Sequence, residues 1–460
     1  GLSIIPAVVP TGTVLYHGRT DANIPAVPDW LAFDFEHAHV FVSATSGHVL
    51  TFATKRPLRV LAFDGLSAHM ARDTQQMLIY GRVVEQGAPL DPQEELCEWA
   101  RKHNIDGFMR AEIHFELIIC DFGTTMELVS TLRVLPSEDM IKRGKPNASK
   151  INAQLPQGRD GPSSPGFGRP PPPAGWVGSL LTDYLTEVDL AAKRHDFAPG
   201  ETRVRPLFSK FVTFYDPEVK SLIEGRRGQT RDHHRLLDIE KSDVEMMVKQ
   251  LEEVVDDEVG WEEKSSASGV DWESILRVVI QRYGERLEFL NHTLATHRAV
   301  PFTRAFKSRQ QVLTILAPYF TVYDIPANVS SMESKRAWLS PVVQRCTTTH
   351  TKGLPTHLFT KQEHLLYHGV QTVMREICRR MGRMFYMSYD IETIDPEKKT
   401  EETYSAIAEA MRVEISSLME WLDWVQVWMK CRPSCAIDVS GVLLYEHQLS
   451  CSGLLPISPF

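Results

Sequence analysis

Two glutamates and a histidine alternate along one predicted strand near residue 115, where they are candidates for acid–base chemistry. The segment Ala111–Leu117 reads Ala-Glu-Ile-His-Phe-Glu-Leu. Because side chains alternate between the two faces of a strand, Glu112, His114 and Glu116 share one face and the apolar residues between them turn to a core. Paired carboxylates serve carbohydrate-active enzymes, but Glu112 and Glu116 would lie roughly 13 Å apart, too far for either standard mechanism.

A second candidate site is the step His17-Gly18, which ends an apolar strand that begins at Val14. Glycine leaves room for a ligand to bond the main chain. Together with the following segment, 30–34, it resembles the opening strand of the ADP-ribosyltransferase fold. In that family the histidine contacts the ribose of NAD and the glycine backbone receives the nicotinamide amide. The resemblance implies that His17 and Gly18 bind NAD as a substrate, with no permanently bound cofactor.

The same resemblance implies a catalytic carboxylate on a late strand, where it stabilises the positive charge that develops as nicotinamide leaves. Glu116 is preferred to Glu112 because it adjoins the more apolar stretch. Family members of the His-Tyr-Glu type also stack a tyrosine on nicotinamide. The corresponding stretch, 37–41, has no tyrosine, and Phe41 is the candidate that replaces it.

Other sites of common type are not indicated. The sequence has no dinucleotide-binding glycine motif, P-loop, nucleophile elbow, zinc-protease motif or calcium loop. His364 and His368 are one helical turn apart, a spacing that can chelate a metal. No third ligand is identifiable, so no metal site is predicted.

The elements that must position these residues fall into an α+β arrangement. Residues 1–143 are predicted to form a mixed α/β domain, with strands near 13–16, 40–42, 58–63 and 115–120 and a helix over 91–103. Residues 144–175 are rich in Pro and Gly and are predicted to be a linker or surface arm. Residues 176–460 are predicted to form a mostly α-helical domain with a Cys-rich C-terminus. Its helices are expected at 176–194, 242–257 (with a capping box at Ser242 and Glu245), 271–297, 303–318, 361–382 and 400–430.

The composition limits partners and compartment. The net charge of -9 argues against a nucleic-acid partner, and no apolar stretch is long enough to span a membrane. Half of the six asparagines lie in glycosylation sequons, which predicts a secreted glycoprotein. These sites are Asn147, Asn291 and Asn328.

Seven cysteines without a Cys-x-x-Cys pair favour disulfides in an oxidising compartment. Cys97 and Cys120 are predicted to bond each other, since a helix and the strand it covers carry them. The three cysteines near the C-terminus cannot pair among themselves, and Cys378 is preferred to Cys346 as their outside partner. Those three are Cys431, Cys435 and Cys451.

Three functions remain open at this point. The first is a secreted NAD-consuming enzyme, a transferase or glycohydrolase. The second is a secreted non-catalytic glycoprotein with a binding or structural function. The third is a carbohydrate-active enzyme. The His-Gly step, the segment 105–108 before the glutamate strand and the Cys-rich end also resemble uncharacterised secreted proteins of filamentous fungi. The substrate, whether a small molecule, a glycan or a protein, is not specified by the sequence.

Overall fold

A computed structural model describes the chain in thirteen segments. The predicted linker, 144–175, and the sequons at Asn147 and Asn328 lie outside the described residues, as does the helix expected at 176–194. The described residues are 2–42, 47–64, 73–83, 93–111, 115–134, 201–230, 233–261, 268–295, 300–321, 339–391, 400–424, 441–443 and 449–451.

The described part of the chain is α+β, with a curled N-terminal sheet and a mostly helical C-terminal region. The sheet has ten strands. They are β1 Ser3–Val9, β2 Val14–Arg19, β3 Asp29–Ala32, β4 Gly47–Thr54, β5 Leu58–Phe63, β6 Gly107–Ala111, β7 Phe115–Ile119, β8 Met126–Val134, β9 Arg205–Pro206 and β10 Val212–Thr213.

Helices accompany the sheet and build the second region. Those among the strands are α1 Phe35–Val40, α2 Asp73–Tyr80, α3 Gln93–Lys102, α4 Phe122–Thr125, α5 Ile223–Arg226 and α6 Lys241–Asp256. Those that follow are α7 Trp272–Ala295, α8 Pro301–Leu316, α9 Leu339–Thr348, α10 Lys361–Met387 and α11 Glu401–Leu422. A short hairpin of β11 Gly441–Leu443 and β12 Leu449–Cys451 completes the described chain.

The strands run in the order β10-β1-β5-β6-β7-β3-β2-β4-β8, and β9 also pairs with β1. The pairs are antiparallel except β5 with β6. Two helices, α2 and α3, come between β5 and β6 in the chain, as a parallel pair requires a crossover. The sheet therefore places β8 and β10 at its opposite edges.

Alternation along the strands gives the sheet two apolar faces. One face, called the inner face here, carries Leu15, Leu31, Leu50 and Leu117, which share one buried core. The other, the helical face, carries residues such as Phe108 and Ile118, which pack against α2, α3 and α6. Near β2 and β4 the helical face is covered by α1, through Ala38 and Val49.

The first compact unit extends further along the chain than the predicted α/β domain. It comprises Gly1–Gly228, Asp232–Glu263 and Cys431–Phe460, and the second unit comprises Gln229–Arg231 and Lys264–Lys430. The reason is pairing and burial: β9 and β10 extend the sheet beside β1, and α6 buries four apolar side chains against the helical face. The first unit therefore includes segments after residue 176 that were predicted to belong to the helical domain.

The second unit is built from α7 to α11, which pack against one another through buried stripes at helical spacing. Along α7 these are Val279, Tyr283, Leu287, Leu290 and Leu294. None of the described helices has the length and apolar character needed to cross a membrane.

Two disulfides join described cysteines. Cys97 on α3 bonds Cys120 just after β7, with Cα atoms 5.3 Å apart, which is the predicted pair. Cys378 on α10 bonds Cys346 on α9, with Cα atoms 5.9 Å apart. This corrects the expected partner, because α9 and α10 pack directly together. The side chains of Cys431, Cys435 and Cys451 lie outside the described set.

Candidate functional site

The inner face changes from apolar to polar at one end of β2 and β4. Along β2, His17 and Arg19 follow Leu15 at two-residue spacing, so the three side chains leave the same face. On β4 the residue beside His17 is Leu50, and the residue beside Arg19 is His48. The apolar core of the inner face therefore ends in polar side chains.

The register extends this polar end onto a third strand. His48 of β4 lies beside Arg133 of β8 as well as beside Arg19 of β2. Directly paired residues project from the same face of a sheet, so these three side chains form a line across three strands. We call Arg19, His48 and Arg133 the basic row. The row presents two permanently charged guanidinium groups with an imidazole between them, and an anion bound there would offset their positive charge.

His17 lies deeper than the basic row and is held by a carboxylate. It is 3 % exposed, and its Nε2 lies 3.2 Å from Oδ2 of Asp29. The other Asp29 oxygen accepts a hydrogen bond from the backbone N–H of Trp30 at 2.9 Å. In the neutral ring with its proton on Nε2, that N–H faces the carboxylate, which only accepts, and Nδ1 is then an acceptor. That Nδ1 is buried and has no hydrogen-bond partner among the described residues.

Two side chains of the basic row also keep buried polar atoms without partners. Arg19 donates from Nη2 to Asp21 at 2.9 Å, and this bond, together with the backbone N–H of Asn23, lowers the pKa of Asp21. Within the described chain, no group accepts from Nε or Nη1 of Arg19, and none pairs with Nδ1 of His48. Buried polar atoms without partners are uncommon, and each costs about 1–3 kcal/mol. Four such atoms, on His17, Arg19 and His48, therefore mark a site on one face that a ligand can complete.

An aromatic cluster contacts His17 through Trp30. The edge of Trp30 meets its ring with centroids 4.8 Å apart. Trp30 also contacts Phe41 at 5.0 Å and stacks on His37 at 5.9 Å. The structure thus brings His17 and Phe41 together through Trp30. Phe41 follows helix α1, however, so the strand predicted at 40–42 is wrong; α1 packs Ala38 and Val40 inward at this point.

Gly18 is required by packing within the chain. A Cβ built on it would lie 2.0 Å from the carbonyl oxygen of Ala38. The backbone of α1 therefore occupies the space that a glycine leaves, and this space was expected to receive a ligand. The glycine sets how closely α1 covers the strand that carries His17.

Glu116 lies on the helical face, away from His17. The register aligns Glu116 with Ala32 of β3, and Ala32 with Tyr16 of β2. His17 is the next residue after Tyr16, so the backbone directs it to the opposite face. Glu116 is buried and accepts a hydrogen bond from Nε of Arg110, its buried neighbour on β6. The structure does not join His17 and Glu116 in one cleft, and Glu112 lies outside the described residues.

The remaining predicted positions lie in the second unit. The rings of His364 and His368 stack on exposed α10 positions with centroids 6.4 Å apart. In the segments that the structure describes, no group of three or more His, Cys, Asp or Glu side chains could hold a metal ion. Asn291 lies on α7, one turn before its end.

Four residues of the site were not predicted from the sequence: Asp29, Arg19, His48 and Arg133. A signal was present in the alternation Leu15-His17-Arg19 on one strand and His48-Leu50-Phe52 on the next. Each series places polar residues at the end of an apolar strand face. The register that sets them side by side is not readable from the sequence, because it depends on pairing between distant segments.

Comparison with known proteins finds similarity over the part of the chain that carries the site. The family model named YPL277C N-terminal domain matches residues 1–49 and 42–162, which include His17, the basic row and Glu116. The uncharacterized protein YOR389W of Saccharomyces cerevisiae is 22% identical over 95% of this chain and 77% of its own length. The uncharacterized protein YPL277C of the same yeast is 27% identical over 51% of this chain and 54% of its own length, so this match spans about half of each protein. No solved structure matches.

Proposed function

We propose that the N-terminal unit binds a small molecule that carries both phosphate and hydroxyl groups, at the polar end of the inner face. The observation that supports this most is the set of buried, unpartnered polar atoms on His17, Arg19 and His48. These residues share one face of two neighbouring strands.

The chemistry of each group fits one part of such a ligand. Arginine side chains offer planar, permanently charged donors that suit phosphate oxygens, and Arg133 adds a second one to the row. Nδ1 of His17 is an acceptor, so it suits a hydroxyl donor deeper in the site. The edge of Trp30 meets the ring of His17 and helps to fix its position beside the ligand.

NAD and ADP-ribose are the members of this class to which the sequence points. The likeness to ADP-ribosyltransferases assigns His17 to the ribose, and a ribose hydroxyl is the donor that Nδ1 lacks. The basic row would then take the pyrophosphate. This assignment keeps His17 as the sequence suggested, gives Phe41 no direct contact with the ligand, and replaces Gly18 with Arg19 and His48.

Cleavage of NAD through Glu116 has less support than binding. Glu116 is paired with Arg110 on the helical face. The carboxylate beside His17 is Asp29. We therefore propose that the protein binds its ligand without turning it over, which agrees with the non-catalytic alternative. Among the described residues, no contact supports a carbohydrate-active site.

Secretion is part of the proposal. Two disulfides, one in each unit, and the sequon at Asn291 favour an oxidising compartment in which disulfides persist.

A thermal-shift titration tests the proposal. NAD, ADP-ribose, AMP and uncharged ribose are added to the full-length protein at fixed ionic strength. We expect a saturable rise in Tm with NAD and ADP-ribose, a smaller one with AMP and none with ribose, since ligands that bind the folded state stabilise it. Assaying nicotinamide in the same NAD samples separates binding from turnover.

The control variant is Arg101→Gln, which removes an exposed arginine from α3 on the other side of the sheet. It should respond like the wild type, whereas Arg19→Gln should lose most of the response. Equal responses from the two variants, or stabilisation by ribose alone, would place the ligand elsewhere.

A further inference from the structure

A second polar cluster lies at the β10 edge of the sheet, opposite to the β8 edge that carries part of the basic row. Its centre is Arg226, the last residue of α5. Nη1 of Arg226 donates to the carbonyl oxygen of Phe214 at 2.7 Å. The guanidinium lies over the ring of Tyr215, 4.7 Å from its centroid. A hydrogen bond on one nitrogen and a ring against one face therefore fix its position.

Among the described residues, no group partners the side of this guanidinium that could bind an anion. Nε and Nη2 of Arg226 are buried, and neither has a hydrogen-bond partner among the residues described. These two nitrogens form the fork that arginine uses to bind two oxygens at once. The nearby acid in sequence, Glu224, accepts instead from the exposed Arg227 at 2.8 Å.

The charge of Arg226 is poorly compensated. Burial lowers its pKa, and the interaction that opposes this is with the phenol of Tyr215 and not with a carboxylate. Taking a cation out of water is unfavourable unless an opposite charge or further hydrogen bonds offset the loss of solvation. A bound anion would supply both.

Two further polar groups lie at the rim. The hydroxyl of Tyr215 is 3.1 Å from Nδ1 of His234, and their rings are 5.7 Å apart. Tyr215 is 42% exposed, so the cluster reaches the surface. A guanidinium, a phenol and an imidazole together resemble the donor set that oxyanions prefer.

We propose that Arg226, Tyr215 and His234 form a binding site for an oxyanion carried by a small molecule, either a phosphate group or a carboxylate. The Arg226 fork holds two oxygens of the anion. The Tyr215 hydroxyl donates to it from the rim, and Nδ1–H of His234 donates to the Tyr215 oxygen.

The experiment uses inorganic phosphate and acetate as separate probes. All proteins carry Arg19→Gln, so that phosphate at the basic row does not contribute. The change in Tm with each anion is measured against chloride at constant ionic strength. The parent should show a saturable rise with one or both anions, and the stronger one identifies the ligand class. Arg226→Lys keeps the charge but loses the fork, and should weaken binding about tenfold or more.

Arg227→Lys is the matched control, since Arg227 is the exposed neighbour that pairs with Glu224. It should behave like the parent. Circular dichroism without added anion reports whether each variant folds. If Arg226→Lys does not fold, Tyr215→Phe decides, because it keeps the ring over Arg226 and removes only the hydroxyl. The proposal fails if the parent responds to neither anion, if Arg226→Lys binds as well as Arg227→Lys, or if Tyr215→Phe leaves binding unchanged.

Discussion

The Arg110–Glu116 pair shows how a buried charged residue can be explained by its neighbours. Both side chains are almost fully enclosed, and they lie directly opposite each other on β6 and β7. A buried ion pair loses much of its solvation, so its members depend on each other. Burial of Glu116 therefore indicates that it stabilises the sheet. A catalytic function for Glu116 would need evidence beyond its burial.

Glu116→Gln is predicted to destabilise the first unit, by roughly 3–5 kcal/mol, because it removes the charge that compensates Arg110. The measurement is the free energy of unfolding in urea, followed by tryptophan fluorescence. Glu127→Gln, an exposed position on β8, is the control and should change it by less than about 0.5 kcal/mol. A similarly small effect at Glu116 would show that the pair does not stabilise the sheet.

Gly18→Ala is predicted to destabilise the same unit by about 1–3 kcal/mol, because the new methyl group meets the backbone of α1 at Ala38. Helix α1 must then move away from β2. Gly369→Ala on α10 is the control, since it meets no atom within 4 Å and should be neutral or stabilising. A neutral Gly18→Ala variant in thermal unfolding would contradict the close approach of α1.

Helices α10 and α11 show how charge joins two elements. Arg380 donates to Glu376 on its own helix at 2.7 Å and to Glu414 on α11 at 3.0 Å. Hydrogen bonds from Arg379 first, and then from Arg380, lower the pKa of Glu376 to about 2. Stabilisation from a carboxyl with a lowered pKa is present above its unfolded value and is lost as the pH falls towards the folded value.

Glu376→Gln is therefore predicted to cost on the order of 1–3 kcal/mol at pH 7. The difference from wild type should shrink as the pH falls from the ordinary value of 4.5 and vanish near pH 2. Unfolding free energies across that range provide the measurement. Glu409→Gln, which breaks the exposed pair with Arg412, should show little effect at any pH. A Glu376 effect that persists unchanged at pH 2 would exclude this linkage.

Elements with strong periodicity were predictable, and those fixed by distant contacts were not. The predicted helices over 271–297 and 361–382 correspond to α7 and α10, because apolar residues recur at helical spacing. The capping box expected at Ser242 does not form, since α6 begins at Lys241. A capping box forms instead at Thr360 and Glu363, before α10. The two patterns belong to different helices, and only the one whose Ser or Thr falls at the N-cap forms the box.

The whole molecule consists of two units, and each has its own core and its own disulfide. The sequence indicated the sheet, the helical region and the Cys97–Cys120 bond. It could not assign β9, β10 and α6 to the first unit, because the pairing of β9 and β10 with β1 joins segments about 200 residues apart. The candidate site also depends on pairing between distant segments, since strand register brings its residues together.

Removal of the Cys346–Cys378 bond by a double alanine substitution is predicted to destabilise the second unit by about 3 kcal/mol, since it frees a loop of 32 residues in the unfolded chain. Calorimetry should show that the transition of the second unit moves to lower temperature while that of the first stays in place. The matching substitution at Cys97 and Cys120 should move the other transition. A double variant that shifts both transitions equally would show that the units unfold as one.

The central claim is that the ligand binds on the inner face, beside His17 and the basic row, and not beside Glu116. Isothermal titration of ADP-ribose into wild type, Arg19→Gln and Glu116→Gln, under conditions where each variant is folded, tests it most directly. We predict that Arg19→Gln weakens binding about tenfold or more, because it removes a charged donor, while Glu116→Gln leaves affinity unchanged. Loss of binding in Glu116→Gln together with full affinity in Arg19→Gln would contradict the claim and move the site to the helical face.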